Sequence, residues 1–76
     1  MKVYTSPSCM ECQALKTWLK SEGIDFKEID VSIDQDAFSK VVNKTKEMKV
    51  PTVEINKEYI IGFDRDKILD KIKKSC

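Results

Sequence analysis

The sequence lacks histidine, long hydrophobic runs and any excess of one charge. Its 76 residues include 14 basic and 13 acidic side chains, which leaves a formal net charge of +1. A nearly neutral chain without a basic face is not expected to bind nucleic acid or an anionic membrane surface. No segment approaches the roughly 18–20 apolar residues of a membrane span, and the N-terminus has no apolar stretch typical of a secretory signal. These absences favour a cytoplasmic protein.

Cysteine is scarce, and its number is odd. Three cysteines cannot form a complete set of internal disulfides, which argues against a secreted scaffold held together by disulfide bonds. Cys76 is the terminal residue and is expected to be a spare thiol on a frayed chain end. Cys9 and Cys12, in contrast, are separated by only two residues. In a reducing compartment such a pair is more typical of catalysis or metal binding than of a structural disulfide.

The cysteine pair falls where a predicted first strand, residues 2–5, leads through the turn 6–8 into a helix. The apolar residues that follow repeat at helical spacing: Leu15, Trp18 and Leu19. A thiol at a helix N-terminus faces unpaired backbone N–H groups and the positive end of the helix dipole, and both favour the reactive thiolate. Cys12 lies one turn beyond Cys9, where it can attack a mixed disulfide formed at Cys9. The spacing therefore suits reversible thiol–disulfide exchange.

The rest of the chain predicts the order strand, helix, strand, helix, strand, strand, helix. The first helix is expected to run from residue 10 to 22 and to stop at Gly23. A strand over residues 25–30 follows from alternating apolar and polar positions. Ser32 or Asp34 is expected to cap the second helix. Its predicted inward face consists of Phe38, Val41 and Val42.

The second half of the chain predicts a hairpin and a final helix. Strands at 52–55 and 59–61 are joined by the two residues Asn56 and Lys57. Asp64 is expected to cap the last helix, whose inward residues are Ile68, Leu69 and Ile72. The first half is a strand–helix–strand unit that favours parallel strands with a right-handed crossover. Together the halves predict one α/β domain over 1–76, a four-stranded mixed sheet flanked by three helices.

Three segments, in this order and spacing, resemble the glutaredoxins of the thioredoxin-fold superfamily. They are Tyr4-Thr5-Ser6-Pro7-Ser8-Cys9-Met10-Glu11-Cys12, then Lys49-Val50-Pro51-Thr52-Val53, then Ile61-Gly62-Phe63-Asp64. The resemblance covers essentially the whole chain. It implies a thioredoxin-like fold and a thiol–disulfide oxidoreductase with no tightly bound cofactor. The implied partners are glutathione, as co-substrate, and proteins that are disulfide-bonded or glutathionylated.

The resemblance also implies roles for individual residues. Cys9 matches the nucleophilic thiol of the family and Cys12 the resolving thiol. Pro51 matches the family's cis-proline, which would aim the Val50 backbone at an extended substrate. A further group falls where glutaredoxins hold the γ-glutamyl end of glutathione: Gly62, Phe63 and Asp64. Gly62 would allow close backbone approach, and N–H groups at the following helix start would receive a carboxylate.

The sequence departs from the family pattern around these positions. Met10 and Glu11 replace the Pro-Tyr pair that dithiol glutaredoxins carry between the cysteines. Met10 is then the expected contact for substrate or glutathione beside Cys9, and Glu11 adds a negative charge. Lys49 replaces the usual threonine and is expected to meet a glutathione carboxylate or to offset Glu11. Gly62-Phe63 replaces Gly-Gly, and this pair resembles the small redoxins that reduce ribonucleotide reductase and are recycled by thioredoxin reductase.

Two function hypotheses within redox chemistry follow from these residues. The first is a glutathione-linked reductase of protein disulfides or glutathionylated proteins, and the alternative is a redoxin recycled by thioredoxin reductase. A non-catalytic zinc or iron–sulfur carrier is the hypothesis from another class. Zinc needs four ligands, and a chain with no histidine and one further cysteine would have to supply an acidic one. We therefore expect no metal site within one chain.

Several single residues also have a structural explanation. Trp18 is expected to belong to the core because of its helical spacing with the other apolar residues. Gly62 is equally consistent with the end of a strand. Phe63 is consistent with packing against the last helix, and Pro51 with an ordinary trans proline that opens a strand.

Overall fold

A four-stranded mixed sheet with three helices forms the part of the chain that the computed structural model describes, residues 1–46 and 49–74. The terminal thiol, Cys76, lies outside these residues. The predicted order of elements and the mixed sheet are confirmed. In chain order the elements are β1 (Lys2–Thr5), α1 (Met10–Ser21), β2 (Lys27–Asp30), α2 (Gln35–Thr45), β3 (Thr52–Ile55), β4 (Glu58–Ile61) and α3 (Arg65–Lys74).

The strand order β2-β1-β3-β4 brings three chain segments to one edge of the sheet. Strand β1 pairs in parallel with β2 and antiparallel with β3, and β3 pairs antiparallel with β4. Tyr4 lies opposite Thr52, which in turn lies opposite Ile61. The loop after β1, the segment before β3 and the segment after β4 therefore start side by side.

Local signals in the sequence set most of the element ends. The Asp34 carboxylate accepts the Ala37 N–H at 3.0 Å, so Asp34 rather than Ser32 caps α2. Asp64 accepts the Lys67 N–H at 3.1 Å at the start of α3. Gly23 adopts φ +69°, and it follows the last turn of α1 as predicted.

The hairpin between β3 and β4 has the expected two-residue turn. Asn56 and Lys57 both have positive φ, 51° and 69°. Positive φ at both central residues is the geometry whose twist matches the flanking strands. Strand β4 begins at Glu58, one residue before its predicted start.

The hydrophobic residues form one cluster on each face of the sheet. Helices α1 and α3 contribute to the larger cluster, whose buried members are Val3, Leu15, Leu19, Val53, Ile55, Ile60 and Ile68. Helix α2 contributes to the other, which consists of Tyr4, Val31, Ala37 and Val41. Both faces of the sheet are thus covered by helices. Within the described residues, no helix has the length and apolar character needed to cross a membrane.

The inward face of α2 differs from the prediction. Val41 is fully buried as expected, but Phe38 is 43% exposed and Ala37 takes the second buried position. Ala37 and Val41 lie one turn apart on the same helix face. The contact of α2 with the sheet is centred on these two smaller side chains, which leaves Phe38 at its border.

We predict that Leu19→Ala lowers the free energy of unfolding by about 2–5 kcal/mol, because Leu19 is fully buried in the larger cluster. Thr17→Ala, at an exposed position of the same helix, is the control and should change it by less than about 0.5 kcal/mol. Urea unfolding of the two variants measures the difference. Equal unfolding midpoints would contradict the packing described for α1.

Candidate active site

Cys9 is the N-cap residue of α1. Its backbone is extended, with φ −91° and ψ 107°, and its Sγ accepts the Cys12 N–H at 3.0 Å. The Cys9 N–H donates to the Ser6 carbonyl at 3.2 Å, which closes the turn after β1. A sulfur thus occupies the position that serine or aspartate usually fills at a helix start. It is partly exposed and faces the positive end of the helix dipole.

Cys12 lies in the first turn of α1 and is fully buried. Burial raises the pKa of its thiol to about 12, and the hydrogen bond with the Cys9 side chain adds to this effect. A hydrogen bond with the Ser6 backbone and, less strongly, the nearby Lys16 act in the opposite direction and lower the pKa. Cys12 is therefore a protonated thiol at neutral pH. The two cysteines differ both in access to solvent and in environment.

A polar cluster of Thr5, Lys16 and Glu28 joins α1 to the sheet beside Cys12. The Lys16 ammonium is 2.8 Å from Glu28 Oε2, and Thr5 Oγ1 donates to the same oxygen at 2.9 Å. The hydrogen bond from Lys16 lowers the pKa of the Glu28 carboxyl. Sequence reasoning missed this cluster. The one signal for it was the position of Lys16, one helical turn after Cys12.

The segment before β3, residues 49–51, lies at the same edge of the sheet as the loop after β1, which carries Cys9. The Val50–Pro51 peptide bond is cis, as the resemblance implied. Pro51 is buried, Val50 is partly buried and Lys49 is exposed. The Pro51 carbonyl accepts the Gly62 N–H at 2.8 Å, which ties this segment to the end of β4.

Gly62 owes its identity to its backbone conformation. It has φ +85°, in the region that side-chain-bearing residues rarely adopt, while an added Cβ would meet nothing within 4 Å. The turn that ends β4 thus explains the glycine, and no close approach of a ligand is needed to account for it.

Phe63 packs against the core and bonds to the cysteine segment through its backbone. Its N–H donates to Glu11 Oε1 at 3.0 Å, a contact between residues 52 positions apart. Its ring lies 5.8 Å from that of Trp18, and both rings border the larger hydrophobic cluster. The Arg65 guanidinium lies 5.3 Å from the Phe63 ring centroid. The expected packing roles of Phe63 and Trp18 are observed, whereas the bond to Glu11 was not predicted.

The remaining predicted site residues lie around the same edge. Met10 directly follows Cys9 and is 87% exposed. Asp64 caps α3, so its carboxylate is engaged with a backbone N–H of its own helix. Ile61 at the end of β4 is 37% exposed, and the sequence pattern did not single it out. Met10 thus provides an exposed apolar side chain next to Cys9 in the sequence, and Ile61 provides another at the end of β4.

The family model for glutaredoxin matches residues 1–60. This chain belongs to the glutaredoxin family. It is similar to a glutaredoxin-like 8.6 kDa protein in the rubredoxin operon of Clostridium pasteurianum, with 32% identity over 74 residues that cover 93% of this chain and 99% of the relative.

Solved structures support the thioredoxin-like fold of this glutaredoxin. A crystal structure of a thioredoxin-like protein matches with a TM-score of 0.83 and 31% identity, over 92% of this chain and 96% of the other. The glutaredoxin-like NrdH-redoxin of Escherichia coli matches with a TM-score of 0.78 and 26% identity, over 91% and 90% of the two chains. That redoxin has a thioredoxin-like activity profile.

The potential metal ligands of this glutaredoxin are scattered in the part of the chain that the structure describes. Among residues 1–46 and 49–74, no three side chains of cysteine, histidine, aspartate or glutamate are grouped so that they would hold an ion. The site is instead built from two thiols, backbone N–H groups and a lysine–glutamate pair.

We predict that Cys12 stays protonated to about pH 10, well above the pKa of about 8.5 of an ordinary thiol, because burial raises its pKa to about 12. The ¹³Cβ chemical shift of Cys12, followed against pH in the reduced protein, measures this. Lys16→Met should move the titration to higher pH, since the lysine cation lowers this pKa. Lys20→Met, an exposed lysine of the same helix, is the control. A Cys12 titration near pH 8.5 would contradict a pKa raised by burial.

Proposed function

We propose that this glutaredoxin is a thiol–disulfide oxidoreductase that reduces protein disulfides or glutathionylated proteins in a reducing compartment such as the cytoplasm. The observation that best supports this function is the asymmetry of the two thiols. Cys9 is partly exposed at the N-terminus of α1, whereas Cys12 is fully buried and held as a thiol. An exposed sulfur suits attack on an incoming disulfide, and a buried one suits an internal second step.

In the first step, the Cys9 thiolate attacks one sulfur of the substrate disulfide. A new S–S bond forms at Cys9, and the other substrate sulfur leaves as a thiolate that takes a proton from solvent. In the second step, Cys12 loses its proton and attacks the Cys9 sulfur. The second substrate thiol is released, so two electrons pass to the substrate and the protein is left with a Cys9–Cys12 disulfide. Because the electrons come from the two sulfurs, no bound cofactor is needed.

The surroundings of Cys12 favour this order of steps. In the reduced protein, burial is the largest cause of the raised pKa of Cys12, and the hydrogen bond and the charge at Cys9 raise it further. A mixed disulfide at Cys9 carries no charge, so the charge contribution disappears once the first step has occurred. The lowering effect of Lys16 persists, because its ammonium is held on Glu28. Cys12 thus becomes easier to ionise when it is required as a nucleophile.

Substrate would lie along the sheet edge between the cysteine loop and the segment before β3. Val50 is partly buried next to the buried Pro51, which fits a role for the Val50 backbone in aligning an extended substrate. Met10 and Ile61 offer exposed apolar surface for a protein partner. In the same proposal, glutathione would contact Lys49 and the turn after β4.

The electron donor is glutathione in the leading proposal and thioredoxin reductase in the second. One observation favours the second candidate. Phe63 falls where the resemblance places the γ-glutamyl end of glutathione, but its N–H already donates to Glu11. The similarity to NrdH-redoxin, a protein with a thioredoxin-like activity profile, supports the same candidate.

We predict that Cys9→Ser abolishes all turnover, because Cys9 carries the one exposed thiol among the described residues. Cys12→Ser should retain glutathione-dependent deglutathionylation, in which glutathione itself resolves the mixed disulfide, and should lose reduction of protein disulfides. A coupled assay that follows NADPH oxidation with glutathione reductase measures the first activity, and insulin reduction measures the second. Activity in Cys9→Ser would overturn the assignment of roles.

The donor is distinguished by a direct comparison on one protein disulfide. NADPH oxidation is measured with glutathione plus glutathione reductase and, separately, with thioredoxin reductase. We expect turnover with glutathione if the leading proposal holds, and turnover only with thioredoxin reductase if the second holds. Cys9→Ser is the control for both donors, since turnover in this variant would come from the reagents alone.

A further inference from the structure

Glu11 connects the start of α1 to the turn after β4, residues 62–64. It lies between the two cysteines, in the first turn of α1, and its Oε1 accepts the Phe63 N–H at 3.0 Å. A carboxylate in the first turn of a helix is also favoured by the helix dipole. Its position is therefore supported by two independent interactions. One of them uses a backbone donor of the turn after β4.

We propose that Glu11 determines the charge specificity of the site. Its carboxylate occupies the Phe63 N–H and places a negative charge two residues from Cys9. The site then discriminates against disulfides that carry a carboxylate near the reacting sulfur, and it favours those whose neighbouring groups are neutral or cationic. This inference rests on the proposed function in its second form, with thioredoxin reductase as the donor, because glutathione itself carries carboxylates near its sulfur.

The hydrogen bond to Glu11 is the first reason for this preference. A substrate carboxylate that bound the Phe63 N–H would have to displace Glu11 from it. The displaced carboxylate would lose a charge-assisted hydrogen bond and remain close to the incoming one. Since Glu11 is exposed, screening limits the like-charge repulsion to a modest effect.

Among the neighbouring charges, Asp64 strengthens the same preference, whereas the cations Arg65 and Lys49 oppose it. Asp64 adds a second carboxylate immediately after Phe63, and it is engaged as the cap of α3 through the Lys67 N–H. Arg65, the cation of this segment, lies over the rings of Phe63 and Trp18, at 5.3 and 6.0 Å from their centroids. Two carboxylates thus flank the turn after β4.

A purely structural role for Glu11 makes a different prediction. If the carboxylate only tethered α1 to the turn after β4, its loss would alter the site for all substrates alike. If Glu11 sets charge specificity, its loss instead changes the ratio of the reduction rates of differently charged substrates, each ratio being measured within one variant. Ratios also cancel small differences in folding between variants.

The test uses three small disulfides that differ in charge: cystamine, bis-hydroxyethyl disulfide and dithiodipropionate, which are cationic, neutral and anionic. Each is mixed with the reduced protein in a Cys76→Ser background, so that only the two motif thiols are counted. The remaining thiols are alkylated at successive times and counted by mass spectrometry. The variants are Glu11→Gln, Glu11→Ala and, as the matched control, Glu22→Gln at the exposed C-cap of the same helix.

We expect Glu11→Gln to raise the anionic-to-neutral rate ratio roughly two- to fivefold and to lower the cationic-to-neutral ratio, since it removes a screened charge but keeps an acceptor. Glu11→Ala should raise the first ratio further, because it also frees the Phe63 N–H. High salt should reduce the effect of Glu11→Gln. Glu22→Gln should leave both ratios at their wild-type values.

Equal ratios in wild type and both Glu11 variants would overturn the inference, as would rates that change by one common factor for all three disulfides. Failure of the proposed function gives a different result. In that case the wild-type protein would not reduce even the neutral disulfide.

Discussion

The hydrogen bond from the Cys12 N–H to the Cys9 sulfur is the interaction on which the rest of the site depends. It makes Cys9 the cap of α1, so the same contact that starts the helix also holds the exposed thiol at the helix N-terminus. Once the helix has started there, its first turn directs Cys12 into the core. The difference between an exposed and a buried sulfur is therefore a consequence of where α1 begins.

The sheet explains why the other site segments meet this helix start. Strand order places the end of β1, the beginning of β3 and the end of β4 at one edge, and the Gly62 N–H bonded to the Pro51 carbonyl fixes two of these segments to each other. The contact between Glu11 and Phe63 adds a second connection, from α1 to the turn after β4. In the proposed function, substrate position, the ionisation of Cys12 and charge preference would each depend on a separate contact around the Cys9 sulfur.

Features encoded by neighbouring residues could be predicted from the sequence, and features that depend on distant pairs could not. The caps Asp34 and Asp64 and the Asn56-Lys57 turn follow from local rules, so the elements were placed within a few residues. The cluster of Lys16 and Glu28 and the bond from Glu11 to Phe63 join residues 12 and 52 positions apart. They depend on how α1 lies on the sheet, which periodicity does not specify. Phe38 was placed in the core for the same reason, since its helix face was known but not the width of the contact.

The central claim is that α1 exposes the Cys9 thiol and buries the Cys12 thiol. Alkylation of the reduced native protein with iodoacetamide tests it most directly. Peptide mass spectrometry identifies which cysteine is modified at each time, and the same reaction in urea shows that both can react. We expect Cys9 to be modified while Cys12 is protected until the protein unfolds. Equal rates at the two cysteines in the native protein, or protection of Cys9, would contradict it.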